Sequence, residues 1–298
     1  MNDVRIDALL PQEMAARAEY LGVRKSEMPF LKTFMLGILA GAFISLGAIF
    51  ATTAGAGSMT IADPAGGLAF STGLPFGLNR LLVGLAFCLG LILVVVGGAE
   101  LFTGNNLIVM AWASGKVTGR ALLRNWAIVY VGNFVGSIGT VILMFFTRQY
   151  TFGANSVGIA ALRIGVSKLE FSFWQAIALG ILCNALVCLA VWLTFSARST
   201  VDKIFAIIFP ITAFVAAGFE HSIANMYFIP FALFIKFFDP NFTATVADKV
   251  AHLDKLTWQA FVVNNLIPVT IGNIIGGAVL VAAIYWAIYL RPSSAQER

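Results

Sequence analysis

Two histidines are the only imidazoles this sequence has for acid–base chemistry, and they sit in different surroundings. His252 lies in a charged stretch between Lys249 and Lys255. His221 follows Glu220 inside Gly218-Phe219-Glu220-His221-Ser222-Ile223-Ala224-Asn225. Between Lys203 and Lys236 these two are the only Asp, Glu, His, Lys or Arg among 32 residues. If that window crosses a membrane, both side chains sit near mid-depth, where ionisable groups are costly and by default mark a pathway. Modest changes of surroundings move the charge of an imidazole across physiological pH. A mid-membrane histidine beside a helix break therefore reads as functional. An intramembrane enzyme would need a nucleophile and base, or a metal set, and His252 falls in a predicted outer loop. Cys88, Cys183 and Cys188 lie in apolar stretches without C-x-x-C spacing and read as packing residues. No metal or cofactor is expected.

The elements that hold these residues are membrane spans. Of 298 residues, 59% are hydrophobic and 11% charged, against roughly 25% charged in soluble domains. The net charge of +5 needs no nucleic acid to explain it; it fits loop orientation or an anionic partner. Met1–Glu27 has no apolar core, so no signal peptide is expected and targeting rests on the first span. Windows with little or no charge cover 33–62, 81–115, 125–147, 171–197, 204–235 and 256–290. Each exceeds the ~20 residues a helix needs to cross the hydrocarbon core, which predicts six spans with both termini on one side. Twelve Lys and Arg fall on that side and seven on the other, so both termini are placed in the cytoplasm and the chain in the inner membrane. Ahead of the spans, Leu9–Arg24 reads as a short amphipathic helix. It either rests on the membrane surface or plugs a cytoplasmic mouth.

Windows two and five are longer than ordinary spans and polar in mid-course. Freed backbone at that depth is tolerated only where protein buries it or it lines a watery cavity, so both read as interrupted helices flanking a central site. An internal repeat agrees. Leu36–Gly41 matches Leu179–Asn184 at an offset of 143, Gly98-x-Glu100-x4-Asn105 matches Gly218-x-Glu220-x4-Asn225 at 120, and Asn125 with Gly132-Asn133-x-x-Gly136 matches Asn265 with Gly272-Asn273-x-x-Gly276 at 140. Two three-span units must be inverted relative to each other. Leu101 occupies the position of His221 in the first unit, so there is one titratable centre. Asn105, Asn133, Asn184, Asn225 and Asn273 read equally as helix cross-links or pore lining. Glu100 and Glu220 read as structural, holding their breaks through backbone N–H groups and hydroxyls.

Glu100-Leu101-Phe102-Thr103-Gly104, Phe219–Met226 and Asn265-Leu266-Ile267-Pro268-Val269-Thr270-Ile271-Gly272-Asn273 resemble signature segments of the formate–nitrite transporter family. The likeness runs from about Leu9 to Leu290, and the last segment is most similar to the formate-channel branch. It implies an all-α integral membrane protein with an aquaporin-like fold. Six transmembrane helices would form two inverted three-helix repeats, with helices 2 and 5 interrupted. The expected parts are an N-terminal helix over 1–30, a channel over 31–290 with halves near 31–147 and 171–290, and a tail over 291–298. A pore in each protomer of a homopentamer is implied, with formate or a similar small monovalent anion, protons and membrane lipid as partners. The resemblance places Thr103, His221, Asn184 and Asn273 on the pathway. It puts Leu91, Leu101 and Phe214 at a cytoplasmic-side constriction and Phe87, Phe102 and Val187 at an outer one. Lys168 matches a vestibule lysine that draws anions in.

The physics is compatible. An idealised carboxylate loses on the order of 20 kcal/mol on entering a low-dielectric interior. Neutralising an acid that titrates near 4 costs only about 4 kcal/mol at pH 7. A histidine between apolar constrictions could supply that proton or attract the anion. Nitrite and hydrosulfide share the charge and small size of formate and remain competitors. A water or glycerol channel would need twin Asn-Pro-Ala motifs, which this sequence lacks.

Overall fold

A computed structural model describes residues 8–57, 59–61 and 70–291. The expected tail over 291–298 therefore lies outside the described residues, apart from Arg291. Helices α1 (Pro11–Ser26) and α2 (Phe30–Ala54) come first, followed by strands β1 (Met59–Ile61) and β2 (Phe70–Thr72). The first window ends early: α2 stops at Ala54, and the antiparallel ribbon β1–β2 begins where that window was expected to continue. Then follow α3 (Phe76–Gly97), a 3₁₀ turn over Gly104–Ile108, α4 (Val109–Ala113), α5 (Gly119–Thr147) and α6 (Ser156–Ser167). The second half contains α7 (Phe173–Ser196), α8 (Thr200–Ala217), α9 (Ser222–Phe238) and α10 (Pro240–Val246). It ends in α11, the 32-residue Trp258–Tyr289, which widens to π-helical turns over Phe261–Leu266 and Ile275–Ala283. Six helices, α2, α3, α5, α7, α8 and α11, are long and apolar enough to cross a membrane. The α9–α10 pair, bent by 102°, makes a seventh candidate if counted as one span.

Local chemistry sets the ends of these helices. Thr118 caps α5 by accepting from Ala121 N–H at 3.2 Å, and Ser172 caps α7 by accepting from Gln175 N–H at 3.3 Å. Ser199 and Asp202 form a reciprocal capping box on α8. Both interrupted helices stop at a glycine in the left-handed region, Gly98 and Gly218, each at φ 80°. Any side chain there would be strained, so the duplicated breaks are written into these two residues.

The repeat governs packing as well. α2 lies on α5 as α7 lies on α11, with backbones brought together by glycines. A Cβ added at Gly37 would stand 3.2 Å from Gly132 Cα, and one at Gly180 would stand 3.2 Å from Gly272 Cα. Gly136 faces the Ile38 carbonyl and Gly276 the Ile181 carbonyl with no room for a methyl group. Gly276→Ala is therefore expected to lower stability by about 1–3 kcal/mol through overpacking. Gly139→Ala, where nothing lies within 4 Å, should be neutral or slightly stabilising. Thermal unfolding in detergent of the two variants side by side checks this. The halves also touch at equivalent positions: Tyr130 Oη and Thr270 Oγ1, 140 residues apart, share a hydrogen bond of 2.9 Å.

α2 starts at the face that carries α1 and ends at the opposite face, called here the far face; α3 returns. The repeat also includes α1 and α6, because Lys25 just before the end of α1 and Lys168 just after α6 are 143 residues apart. α1 is tied to the bundle at several points. Glu19 pairs with Lys116, Gln12 Nε2 donates to the Tyr289 carbonyl at 2.5 Å, and Ser196 Oγ donates to the Leu9 carbonyl at 3.2 Å.

Candidate functional site

Each helix break leaves backbone groups unpaired, and an asparagine from the third span of the same half satisfies them. Asn133 Oδ1 accepts from Phe102 N–H at 3.0 Å, and its Nδ2 donates to the carbonyls of Gly37 and Glu100 at 2.8 and 2.9 Å. Asn273 repeats this with Ser222 N–H, Gly180 and Glu220, all at 2.9 Å. Glu100 N–H and Glu220 N–H reach the carbonyls of Leu36 and Leu179 at 3.1 and 3.3 Å. All three amide bonds of Asn273 are thus spent on backbone. Asn273→Ala would leave three buried polar groups without partners, at about 1–3 kcal/mol each. A loss of more than 3 kcal/mol in detergent unfolding is expected, and Asn133→Ala should show the same.

A second layer is also duplicated. Glu100 is bound by Lys25 Nζ at 3.0 Å to Oε1 and by Asn105 Nδ2 at 2.7 Å to Oε2. Asn105 Nδ2 also donates to Asn125 Oδ1 at 2.9 Å, and Asn125 donates to the Lys25 carbonyl at 3.1 Å. In the other half Lys168 Nζ lies 2.7 Å from Glu220 Oε1, Asn225 donates to Glu220 Oε2 at 2.7 Å and to Asn265 Oδ1 at 2.7 Å, and Asn265 donates to the Lys168 carbonyl at 2.8 Å. The carboxylates therefore hold the breaks through lysine and amide side chains, not through the backbone N–H groups and hydroxyls expected of them. Lys168 is correspondingly no free vestibule cation. Its ammonium is paired with Glu220 and lies 5.4 Å from the centre of the Phe228 ring.

His221 occupies the N-cap of α9. Its Nδ1 accepts from Ala224 N–H at 3.0 Å, and its Nε2 lies 2.9 Å from Thr103 Oγ1. An Nδ1 that accepts must carry a lone pair, so the neutral ring holds its proton on Nε2 and donates it toward Thr103. Protonating Nδ1 would break the cap. The arrangement at rest is therefore a hydrogen-bond donor aimed at an oxygen. The carbonyl of Thr103 is gripped from behind by Asn184 Nδ2 and Cys188 Sγ, each at 3.3 Å, and Asn184 also donates to the Asn273 carbonyl at 2.6 Å.

Two cavities flank this pair. One of about 350 Å³ on the α1 face is lined by α1, Leu91, Glu100, Leu101, Asn105 and Lys203, among others. One of about 220 Å³ on the far face is lined by Arg80, Phe87, Lys168, Phe214, Glu220, His221 and Asn225, among others. Sequence matching groups Phe214 with Leu91 and Leu101, but the structure groups it with Phe87. Their rings meet edge-on at 5.7 Å, and the Phe214 ring lies 6.0 Å from His221. The reason is position along α8: Phe214 is four residues before Gly218, at the end of α8 that meets the break next to His221. Its repeat counterpart, Val94, lines the other cavity. Phe102 and Val187 line neither cavity. Phe102 packs edge-on against Trp126 and Tyr130 at 5.9 and 4.9 Å, and Val187 is buried in the core. Asn184 and Asn273 line neither cavity and bind backbone. His252 is at the surface, 4.0 Å from Glu170. Sequence reasoning missed Lys25 and Arg80. The offset of 143 from Lys168 points to the first, and the second is the only charged residue between Asp63 and Glu100.

With this geometry in hand, comparison with known proteins is specific. Residues 12–287 match the formate/nitrite transporter family. The chain is 46% identical to the formate channel FocA of Escherichia coli strain K12 over 290 residues, covering 97% of each. It is 40% identical to FocA of Haemophilus influenzae over 277 residues, covering 92% of each. A solved pentameric formate channel with formate bound superposes with a TM-score of 0.78 at 48% identity, covering 88% of this chain and 98% of that one.

Proposed function

From the premise that this chain belongs to the formate/nitrite transporter family, we propose that it conducts formate across the inner membrane, with both termini in the cytoplasm. The observation that carries the reading is the His221 Nε2–Thr103 Oγ1 contact of 2.9 Å between two cavities on opposite faces. Formate carries carboxylate oxygens that can take the place of Thr103 Oγ1 as the acceptor facing Nε2. It enters the far-face cavity, passes the Phe87 and Phe214 rings, and exchanges for Thr103 as the acceptor of the Nε2 proton. It leaves through Leu91 and Leu101 beside Lys25. Because the neutral ring has one proton, it can lend a hydrogen bond at pH 7 but can give that proton away only after Nδ1 is protonated and the α9 cap released. The anion therefore crosses with a borrowed hydrogen bond at neutral pH, and proton delivery belongs to acid conditions. Asn133, Asn273 and the two glutamates hold the breaks and give no bond to the anion.

Five copies are proposed to assemble, each with its own path. Exposed Phe205 and Phe209 on α8 and Phe146 on α5 suit lipid or subunit contact. The channel domain then begins at α2, with α1 as a cytoplasmic wall of the inner cavity. The test is initial uptake of labelled formate, nitrite and hydrosulfide into proteoliposomes at one pH. Formate uptake at least about tenfold above protein-free vesicles and above the two competitors is expected. Faster hydrosulfide or nitrite uptake overturns the substrate assignment, and equal rates with and without protein overturn the channel. Native mass determination in detergent tests the fivefold assembly.

A further inference from the structure

The last turn of α8 borders the far-face cavity, which Phe214 and Val215 line. A helix C-terminus carries the equivalent of about half a negative charge. Left bare, it would repel an anion arriving beside His221. Phe214 and Val215 carbonyls accept from the N–H groups of Phe219 and Gly218 at 3.0 and 3.1 Å, but Ala216 has no such backbone partner because Glu220 N–H turns away to Leu179. Arg80, from the second turn of α3, fills the gap. Its Nε donates to the Ala216 carbonyl at 3.1 Å and its Nη2 to the Val215 carbonyl. Its guanidinium also lines the cavity.

The charge of Arg80 is not consumed there. The carboxylate in the same cavity, Glu220, is held by Lys168 at 2.7 Å and by Asn225 and Asn265 at 2.7 and 3.1 Å. Two carbonyls take two of the five N–H donors of the guanidinium, and no described carboxylate lies within ion-pair distance of it. The far-face cavity therefore holds two cations against one carboxylate. The first half lacks this device. Val95 and Val96, the counterparts of Val215 and Ala216 at an offset of 120, receive no side-chain donor among the described residues, and the position of Arg80 is taken by Thr200.

We infer that Arg80 sets the affinity of the far-face mouth for monovalent anions, by turning the C-terminal end of α8 from a repelling wall into an attracting one. It acts as a selectivity residue and not as a member of the His221–Thr103 contact. The inference rests on the formate reading above. Its signature is electrostatic: steering by a cation near a cavity mouth weakens as ionic strength rises.

Arg80→Gln keeps a donor for one carbonyl and removes the charge; Arg80→Lys keeps the charge on a single-point donor. Initial formate uptake into proteoliposomes is measured at pH 7 over a formate series, at about 0.05 and 0.5 M salt. For Arg80→Gln the half-saturating formate concentration should rise about tenfold at low salt, while the saturated rate stays within about twofold. The salt dependence seen in the wild type should disappear. Arg80→Lys should stay within about threefold of the wild type and keep its salt dependence. An Arg80→Gln protein that saturates at the wild-type concentration and responds to salt like the wild type overturns the inference. If Arg80→Gln does not assemble, Arg80→Lys decides: a tenfold loss of affinity in that charge-retaining variant overturns it, and a near-wild-type curve supports it. Wild-type protein that carries no formate in the same preparation overturns the channel assignment instead, so the two failures are separate.

Discussion

Glu220→Ala is expected to cost the protein about 3–5 kcal/mol, the typical effect of removing one partner of a buried ion pair. Its side chain is 3% exposed and that of Lys168 is 15%. Removing the carboxylate takes the ion-pair partner from the ammonium of Lys168 and one acceptor from each of the amides of Asn225 and Asn265. The matching change in the first half, Glu100→Ala, should cost less because Lys25 is 31% exposed and can turn to water. The pair Glu220→Leu with Lys168→Met should recover part of the loss, since well-packed apolar residues can replace a buried pair at little or no cost. Thermal unfolding in detergent, read together with the assembled fraction on size exclusion, checks the order Glu220→Ala, Glu100→Ala, double variant, wild type. Equal melting of Glu220→Ala and wild type would show that the clamp is not what holds the second break.

His221→Ala should change conduction more than stability. It deletes the N-cap of α9, worth about 1 kcal/mol, and leaves Thr103 without the donor that faces it. Formate uptake is expected to lose its response to acidification, since there is no longer an Nδ1 to protonate and no α9 cap to release. His221→Asn separates the two roles. Asparagine is a good cap but cannot titrate, and it is too short to reach Thr103. Its melting temperature should return toward the wild type while its flat pH profile persists. A wild-type pH profile in either variant would remove the proton from the account of His221.

What the sequence allowed to be read depended on whether the signal was spelled out or only positional. Gly98–Asn105 and Gly218–Asn225 share three identities, because a left-handed glycine, a clamped carboxylate and its amide partner leave few alternative residue types. The two broken helices and the inverted duplication therefore followed. Leu36–Gly41 and Leu179–Asn184 are similarly constrained by close backbone approach. Lys25 and Lys168 sit at the ends of helices with little other likeness, so their equivalence showed only once both ammonium groups were seen on matching carboxylates. Asn184 and Asn273 were ambiguous because an asparagine that binds carbonyls and one that lines a pore have the same letter; only the accounting of donors separates them. Phe214 was misplaced for a geometric reason. Which cavity a ring enters depends on its distance from the break along α8, and that distance is invisible to motif matching. Arg80 belonged to no motif, and its partners are carbonyls 135 and 136 residues away.

The contact of Tyr130 with Thr270 has a further consequence. Positions related by the duplication meet there, so an internal two-fold relation runs through the protomer and presents the same scaffold to both sides of the bilayer. A scaffold of that kind cannot rectify. If the current–voltage curve of a single pore is asymmetric, the asymmetry must come from the places where the halves differ, among them His221 against Leu101, Phe214 against Val94 and Arg80 against Thr200. Exchanging residues at those positions is the way to reverse it.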